Sequence, residues 1–272
     1  TIENVTTAEN GDLVYTATLD NAVEDGFEVD VSFADVSATG GAVLGAGVDY
    51  VDSTQTLTFS GSASETVQFT VAVNDDAVVE ANEGLTVSLG NLQNNSAPAT
   101  SIDITDTATG TITDNDSASV TIENVTTAEN GDLVYTATLD NAVEDGFEVD
   151  VSFADVSATG GAALGAGVDF VNTTQTLTFA GTASETVQFT VAVNDDAVIE
   201  ANEGLTVSLG NLQNNTAPAT SIDITDSATG TITDNDAAAV TIENVTTAEN
   251  GDLVYTATLD NAVEDGFEVD VS

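Results

Sequence analysis

The chain has 272 residues, of which 47 are Asp or Glu and none is Lys, Arg or His, so its formal net charge of -47 has no internal counter-charge. No side-chain ion pair can form, and carboxylates about 4 Å apart repel by roughly 1 kcal/mol in water and several times more near a protein surface, so a compact fold must take cations from solution. Nothing here can neutralise a phosphate, which excludes nucleic-acid binding, and the absence of Cys excludes disulfides, thiolate metal sites and thiol redox chemistry.

The sequence TIENVTTAENGDLVYTATLDNAVEDGFEVDVS occurs at 1–32, 121–152 and 241–272, a period of 120 residues. The first two copies differ at 11 of 120 positions, mostly by near-isosteric changes such as Val79 against Ile199 and Tyr50 against Phe170. One difference alters charge, Asp52 against Asn172. A unit of this size can bury its own core, so the chain reads as a string of domains rather than a solenoid of short repeats. The expected divisions are 1–117, 118–237 and an N-terminal part of a third repeat, 238–272, either cut from a longer array or completed by another chain. Only SASV (117–120) and AAAV (237–240) separate the units, too little for a flexible tether. Hydrophobic residues make up 41% and sit in alternating runs, which argues for folded domains rather than disorder.

Within a unit, period-two alternation and turn signals predict seven strands. The first covers roughly 120–125 in the second copy. The second carries Leu13, Tyr15, Ala17 and Leu19, and the third Phe27, Val29, Val31 and Phe33. Leu57 and Phe59 mark the fourth, Val67, Phe69, Val71 and Val73 the fifth, Leu85, Val87 and Leu89 the sixth, and the seventh runs about 109–113. Asn10-Gly11 and Asp25-Gly26 are typical turn dipeptides, and no helical period of comparable length occurs. The predicted fold is all-β, tandem immunoglobulin-like antiparallel β-sandwiches of seven strands.

Strands that alternate in direction sort their connections between two poles. One pole receives the turn with Glu9, the loop with Asp35 and Asp49, the connection with Asp75, Asp76, Glu80 and Glu83, and the chain end with Asp114 and Asp116. The other receives Glu24, Asp25, Glu65 and the loop 91–107. Eight or nine carboxylates from four connections thus converge at one end. Oxygen donors in that number suit Ca²⁺, which takes six to eight in flexible geometry, better than the strict octahedron of Mg²⁺. Without His or Cys, zinc and copper are disfavoured. Several Ca²⁺ ions per repeat are expected.

The segments Ala8-Glu9-Asn10-Gly11, Ala46-Gly47-Val48-Asp49-Tyr50, Leu57-Thr58-Phe59, Asn74-Asp75-Asp76 leading to Glu80-Ala81-Asn82-Glu83, and Gly110 to Asp116 follow one another over nearly the whole unit. In that order they resemble the Calx-beta domain of sodium/calcium exchangers, an integrin β subunit and many large bacterial surface proteins. The resemblance implies a calcium cluster at one end of a sandwich, with ligand roles for Glu9, Asp35, Asp49, Asp75, Asp76, Glu80, Glu83, Asp114 and Asp116. In the second copy the same roles fall to Glu129, Asp155, Asp169, Asp195, Asp196, Glu200, Glu203, Asp234 and Asp236. The sequence departs from the family pattern in a longer loop over 40–47, in Leu85 where Phe is usual, and in its total loss of basic residues.

An acid–base pair such as Glu80 and Glu83 is the one enzyme-like feature. The same acids recur in both complete copies with no basic or His partner, so the chain is not expected to be an enzyme. The Gly40 to Gly47 loop is neither a phosphate loop nor a calcium β-roll repeat. The expected function is structural: a calcium-stabilised tandem-repeat shaft of a secreted extracellular fibre or matrix filament. The alternative is an extender region of a giant calcium-dependent adhesin. Neighbouring repeats and further copies in a fibre are the expected partners. With no run of 18 apolar residues, no membrane insertion of this segment is expected. The expected location is secreted, extracellular or cell surface, where a chain without Lys or Arg offers no trypsin-type cleavage site. Sequons such as Asn4-Val5-Thr6 and Asn94-Asn95-Ser96 are candidate glycosylation sites there.

Overall fold

A computed structural model describes residues Thr1–Ser272. Its contacts divide the chain into two units. Unit 1 comprises Thr1–Ala118 with Asn141–Glu144 and Thr216–Ile222, and unit 2 comprises Ser119–Asp140, Asp145–Asn215 and Asp223–Ser272.

In unit 1 the strands are β1 (Val5–Ala8), β2 (Leu13–Thr18), β3 (Phe27–Asp35), β4 (Gly40–Gly41), β5 (Tyr50–Val51), β6 (Gln55–Phe59), β7 (Thr66–Val71), β8 (Glu83–Gln93) and β9 (Thr107–Thr113). Apart from 3-10 turns at Ala99–Ser101 and Ala219–Ser221, the regular structure is all strand. One sheet has the order β1-β9-β8-β3-β6, and the other is built on β2-β7. Alternation decides what each strand buries: Leu13, Tyr15 and Ala17 point into the core while Val14 is exposed. Cross-strand aromatic pairs fasten both sheets. Tyr15 opposes and stacks on Phe69 with ring centroids 5.1 Å apart, and Phe27 stacks on Phe59 at 5.0 Å. Gly110 is required beneath this core, because a Cβ there would run into the Tyr15 hydroxyl.

The predicted first strand is two strands. In the second copy Ala118–Ile122 pairs antiparallel with Leu133–Leu139, and Val125–Ala128 then pairs parallel with Ser227–Thr233. The strand leaves one sheet and joins the other across Glu123 and Asn124, and Asn124 Oδ1 accepts the Thr229 N–H there. In unit 1 the corresponding parallel pair is β1 with β9, joined by Asn4 Oδ1 accepting the Thr109 N–H. The remaining pairs of the two main sheets are antiparallel, and the short β4–β5 pair is parallel.

The two turn dipeptides form turns of different kinds. Asp25 and Gly26 both have positive φ, 61° and 71°, and the Gly26 N–H donates to Val23 O at 3.4 Å in a turn that carries the chain from β2 to β3 in the other sheet. At Asn10-Gly11 the Gly11 N–H donates to Ala8 O at 2.9 Å, and neither residue needs a left-handed backbone. That second turn carries Glu9.

A bulge in β8 opposite β3, between the pairs Glu28↔Gln93 and Asp30↔Gly90, is carried by Asn91 at φ 50°. It brings amide donors to an acid that has no cation: Asp30 accepts from Asn91 Nδ2, Thr56 Oγ1 and Gln93 Nε2 at 2.6, 2.7 and 3.3 Å. The Asn91 and Thr56 bonds hold its carboxyl below the usual carboxylate range.

Candidate metal centre

Parallel pairing of β1 and β9 runs both strands toward the same pole and leaves their C-terminal ends side by side. The Glu9 N–H continues the ladder to Thr113 O at 3.2 Å. Beyond it lie Asp114 and Asp116, held in a tight turn by the Asp116 N–H donating to Asp114 Oδ1 at 3.0 Å. Carboxylate oxygens of Glu9, Asp114 and Asp116 consequently lie within 4.8 Å of one another. Glu9 is only 7% exposed, and Glu9 Oε2, Asp114 Oδ2 and Asp116 Oδ2 are buried with no hydrogen-bond partner.

A second triad forms where β8 begins. Asp49 precedes β5 and is strapped to the end of β7 by the Asn74 N–H donating to Asp49 O at 2.8 Å. Glu83 opens β8, and Glu80 lies in the connection before it. Asp49, Glu80 and Glu83 again present oxygens within 4.8 Å of one another.

Unit 2 also has two triads, one with the same membership as its counterpart and one in which Asp196, the counterpart of Asp76, stands in place of the counterpart of Asp114. Glu129, Asp196 and Asp236 form one triad, and Asp169, Glu200 and Glu203 the other. Glu129 is 6% exposed, and Glu129 Oε2 and Asp236 Oδ2 are buried without partners.

Crowding desolvated carboxylates makes their charged forms costly. Burial, then the charges of Asp114 and Glu80, pushes Glu9 up to about 8. Burial, then Asp76 and Glu144, raises Glu80 to about 7. Glu83 rises to about 8 through burial and its hydrogen bond with Asp49. Asp116 is raised by burial and by Asp114. In unit 2 burial raises Glu129 to about 7, with Asp234 adding to it, and Glu203 to about 8, with Asp169 adding to it.

The opposite pole behaves differently. Glu65 accepts the backbone N–H groups of Ser60, Gly61 and Ser62 at 2.9, 2.9 and 3.2 Å, and these bonds, led by Ser60, lower its pKa. Asp103, in the loop 91–107, is lowered by the Thr105 hydroxyl and N–H at 2.7 and 3.0 Å. Glu65 and Asp103 are satisfied by the protein, whereas Glu9 Oε2, Asp114 Oδ2 and Asp116 Oδ2 are not.

Not every acid sorted to the triad pole enters a triad. Asp35 Oδ1 accepts the Gly40 N–H at 2.8 Å and the Tyr50 hydroxyl at 2.7 Å, bracing the Gly-rich loop. Asp155 accepts the Gly160 N–H at 2.9 Å in the same way, with Phe170 in place of the tyrosine. Asp76 Oδ1 caps its own loop through the Val78 N–H at 2.8 Å, and its counterpart Asp196 both caps Val198 and joins a triad. Asp75 is exposed and lines a depression with Glu9, Gly11 and Asp12. Asp195 accepts from Asn235 Nδ2 at 3.4 Å, and Asp234 Oδ1 accepts the Asp236 N–H at 3.0 Å. Sequence reasoning missed Asp12, whose Oδ1 accepts the Val73 N–H at 3.4 Å. Asp12 sits one residue past the turn glycine, and only the β2–β7 pairing brings it to Val73.

The Calx-beta domain model matches residues 13–116 and 114–236. The chain belongs to the Calx-beta domain family. The tandem Calx-beta repeats therefore account for both β-sandwich units. No protein with a curated description matches the chain. Among solved structures, the calcium binding domain CBD12 of CALX1.1 matches at 16% identity over 85% of this chain and 99% of that one, with a TM-score of 0.36. An apo-form Calx CBD1 domain matches at 22% identity over 44% and 100%, also at 0.36. At these scores the structural likenesses carry no weight beyond the family match.

The donor set fits a hard divalent cation. Every side chain in the triads is a carboxylate, and several of their oxygens are buried with no proton donor to face. Such oxygens suit Ca²⁺, which is bound by carboxylates and tolerates irregular geometry. A cation there would offset the repulsion that raises Glu9 and Glu83.

Proposed function

We propose that each Calx-beta repeat binds Ca²⁺ at its two acidic triads, and that the array is a calcium-stabilised structural shaft of an extracellular fibre or matrix filament. The observation that carries the calcium reading is the orphaned oxygen set: Glu9 Oε2, Asp114 Oδ2 and Asp116 Oδ2 are buried and unpartnered in a chain with no Lys, Arg or His. Burying an unpaired charge is costly, so both repeats keep an arrangement whose cost a bound cation removes.

The structural role rests on repetition. Copies that differ at 11 of 120 positions keep every one of these acids, with no repeat set apart as a reaction centre or receptor site. A shaft needs only such repetition. Placement outside the cell agrees with calcium dependence, since oxygen-ligand modules there work at millimolar Ca²⁺. No helix in the chain is long and apolar enough to cross a membrane.

The test has two parts. Titration calorimetry of the whole chain is expected to show at least two Ca²⁺ per complete repeat, with Mg²⁺ much weaker. Electron microscopy of the native material is expected to show uniform fibres that lose their regularity in EDTA. Absence of Ca²⁺ binding at low salt refutes the metal reading, and single thin strands ending in a distinct tip refute the filament in favour of an adhesin extender.

A further inference from the structure

The pole of unit 1 that holds Glu65 and Asp103 also carries a cavity of about 330 Å³, with Leu19, Val23, Leu89, Ile102 and Ile104 in its apolar lining. Leu19 and Leu89 are only half-buried there, whereas the corresponding Leu139 and Leu209 of unit 2 are 0% and 8% exposed. A strand makes the difference. In unit 2 Val120 pairs with Leu139 and is 1% exposed, Thr121 pairs with Thr138, and Ile122 pairs with Ala137. The Ser119 N–H and hydroxyl donate to the Asp140 carboxylate at 2.6 and 2.7 Å, the Asp140 N–H donates to Ser119 O at 3.1 Å, and the Ile122 N–H donates to Asp226 Oδ2 at 2.8 Å. In unit 1 Thr1 and Ile2 hold the positions of Thr121 and Ile122: the Thr1 amino group donates to Thr18 O at 2.7 Å, Ile2 bridges Ala17, and the Ile2 N–H donates to Asp106 Oδ2 at 2.8 Å. The cavity lies beside Leu19, where unit 2 has Val120, and Asp20 Oδ1 accepts its neighbour's Asn21 N–H at 2.7 Å.

A strand that fits this cavity stands exposed elsewhere in the chain. Ala238-Ala239-Val240-Thr241-Ile242 differs from Ala118-Ser119-Val120-Thr121-Ile122 at one position. Val240–Ile242 pairs with Ala257–Leu259 in a two-stranded ribbon, in which Val240, Ile242 and Leu259 are 39%, 52% and 40% exposed. A two-stranded ribbon is at best marginally stable in water. Its second strand, Ala257-Thr258-Leu259, has the same sequence as Ala17-Thr18-Leu19 beside the cavity.

We propose that Ala238–Ile242 of one copy of the chain docks as an added strand on Ala17–Leu19 of a second copy, joining copies head to tail. The register is that of unit 2, with Val240 against Leu19, Thr241 against Thr18 and Ile242 against Ala17. Docking is a strand swap: the donor leaves Ala257–Leu259 for the identical Ala17–Leu19, and its Thr241-Ile242 replaces the acceptor's identical Thr1-Ile2. Those exchanges cancel, and the surplus is burial of Val240 against Leu19 and Leu89. The donor strand is uncharged, while Asp20 and Asp106 stand ready to accept its Ala239 and Ile242 N–H groups, as Asp140 and Asp226 do in unit 2. Main-chain pairing of this kind supplies affinity and the side-chain pocket supplies selectivity. Donor and acceptor surfaces differ, so the contact is heterologous and extends a filament wherever the rotation does not close a ring. The joint rests on the filament reading above, to which it adds the contact between copies, and it needs no cation.

Analytical ultracentrifugation of the full chain at about 0.15 M salt, where charges more than about 8 Å apart are largely screened, is expected to show multimers that grow with concentration in Ca²⁺ and in EDTA alike. Val240→Asp changes an exposed position outside both cores and is expected to weaken association at least about tenfold, since it buries an unpaired charge in the joint. Placing Ser-Ala-Ser-Val, the sequence of 117–120, before Thr1 is expected to fill the cavity in cis, leave the chain monomeric and raise the melting temperature of unit 1. The chain has no Cys, so the register can be read by oxidation. Thr18→Cys with Thr241→Cys is expected to give a ladder of disulfide-linked multimers, and Thr66→Cys with Thr241→Cys, one strand further away, to give none. A chain that stays monomeric up to millimolar concentration overturns the joint, as do multimers undiminished in both the Val240→Asp and the extended chain. Electron microscopy of the native material separates the two ways of failing. If uniform fibres are present, only the joint is overturned, and if they are absent the filament reading falls with it.

Discussion

The raised carboxyls make a specific claim about stability without calcium. In the unfolded chain a glutamate titrates near 4.5, whereas in the fold Glu9 and Glu83 titrate at about 8 and Glu80 at about 7. Between those values the folded state binds more protons than the unfolded one, so stability falls as pH rises from about 4.5 to about 8. Each tenfold difference in proton affinity between the two states is worth about 1.4 kcal/mol. Glu9 alone then supplies on the order of 4 to 5 kcal/mol, and solvent screening of partly exposed neighbours lowers what the whole cluster delivers. A loss of roughly 3 to 6 kcal/mol per repeat corresponds to a fall in melting temperature of about 10 to 20 °C for a domain of this size. The assay is thermal unfolding in excess EDTA at low salt, from pH 5 to pH 9. Ordinary surface carboxylates are fully ionised by about pH 6, so the decline between pH 6 and pH 8.5 isolates the triads. Millimolar Ca²⁺ is expected to abolish the decline, because it binds the ionised form and stabilises by mass action. Glu9→Gln with Glu129→Gln is expected to make it shallower in EDTA, with Glu80, Glu83 and Glu203 supplying what remains. A melting temperature that is constant or rising from pH 6 to pH 8.5 without calcium refutes the reasoning.

Calcium binding at pH 7 is expected to release about one to two protons per repeat, since ligands must be deprotonated to bind. Calorimetry in buffers of different ionisation enthalpy measures this, and the release should vanish by about pH 9.5. The Tyr15 and Tyr135 hydroxyls are buried without partners, so Tyr15→Phe with Tyr135→Phe is expected to be neutral or stabilising by about 1 kcal/mol per repeat, read by denaturant midpoint. Gly110→Ala is expected to destabilise unit 1 by about 2 to 4 kcal/mol, because its Cβ collides with Tyr15 and Leu13 in a closed core. Asn4 and Asn94 engage Thr109 and Glu28 through their side-chain amides, and mass spectrometry of native material is expected to find both unglycosylated.

Much of the fold is legible because alternation writes the buried face directly into the sequence, as in Leu13, Tyr15 and Ala17 or Val29 and Val31. What alternation leaves unwritten is pairing. The split of the first strand turns on Asn124 capturing the Thr229 N–H more than a hundred residues away, and no local pattern announces that. The third copy demonstrates the point within one chain. Leu13, Phe27 and Val31 are 0%, 6% and 0% exposed, whereas the identical Leu253, Phe267 and Val271 are 53%, 52% and 84% exposed. Residues 13–18 form a strand opposite β7, and over 253–258 only the last two residues lie in one. The same side chains meet different partners, so strand identity here belongs to the sheet and not to the segment.

The candidate site was legible for a related reason and incomplete for another. Counting strand directions brings Glu9 and Asp114 to one end because the first and last strands run the same way, which the parallel β1–β9 pair realises. Counting cannot separate an acid that the backbone satisfies from one it abandons. Asp35 and Glu9 sort to the same pole, yet Asp35 receives an amide and a hydroxyl while Glu9 keeps a buried oxygen with nothing to accept from. Glu65, at the other end, is held by three amides in a loop of small residues. A chain without a single basic side chain has only N–H, O–H and external cations with which to settle its carboxylates. Where the first two are supplied the acid acts as a structural acceptor, and where they are withheld the remaining option is an ion. The triads of Glu9 and Glu129 are the places where the fold withholds them, which is why unmet hydrogen-bonding capacity, more than acidity itself, marks that metal centre.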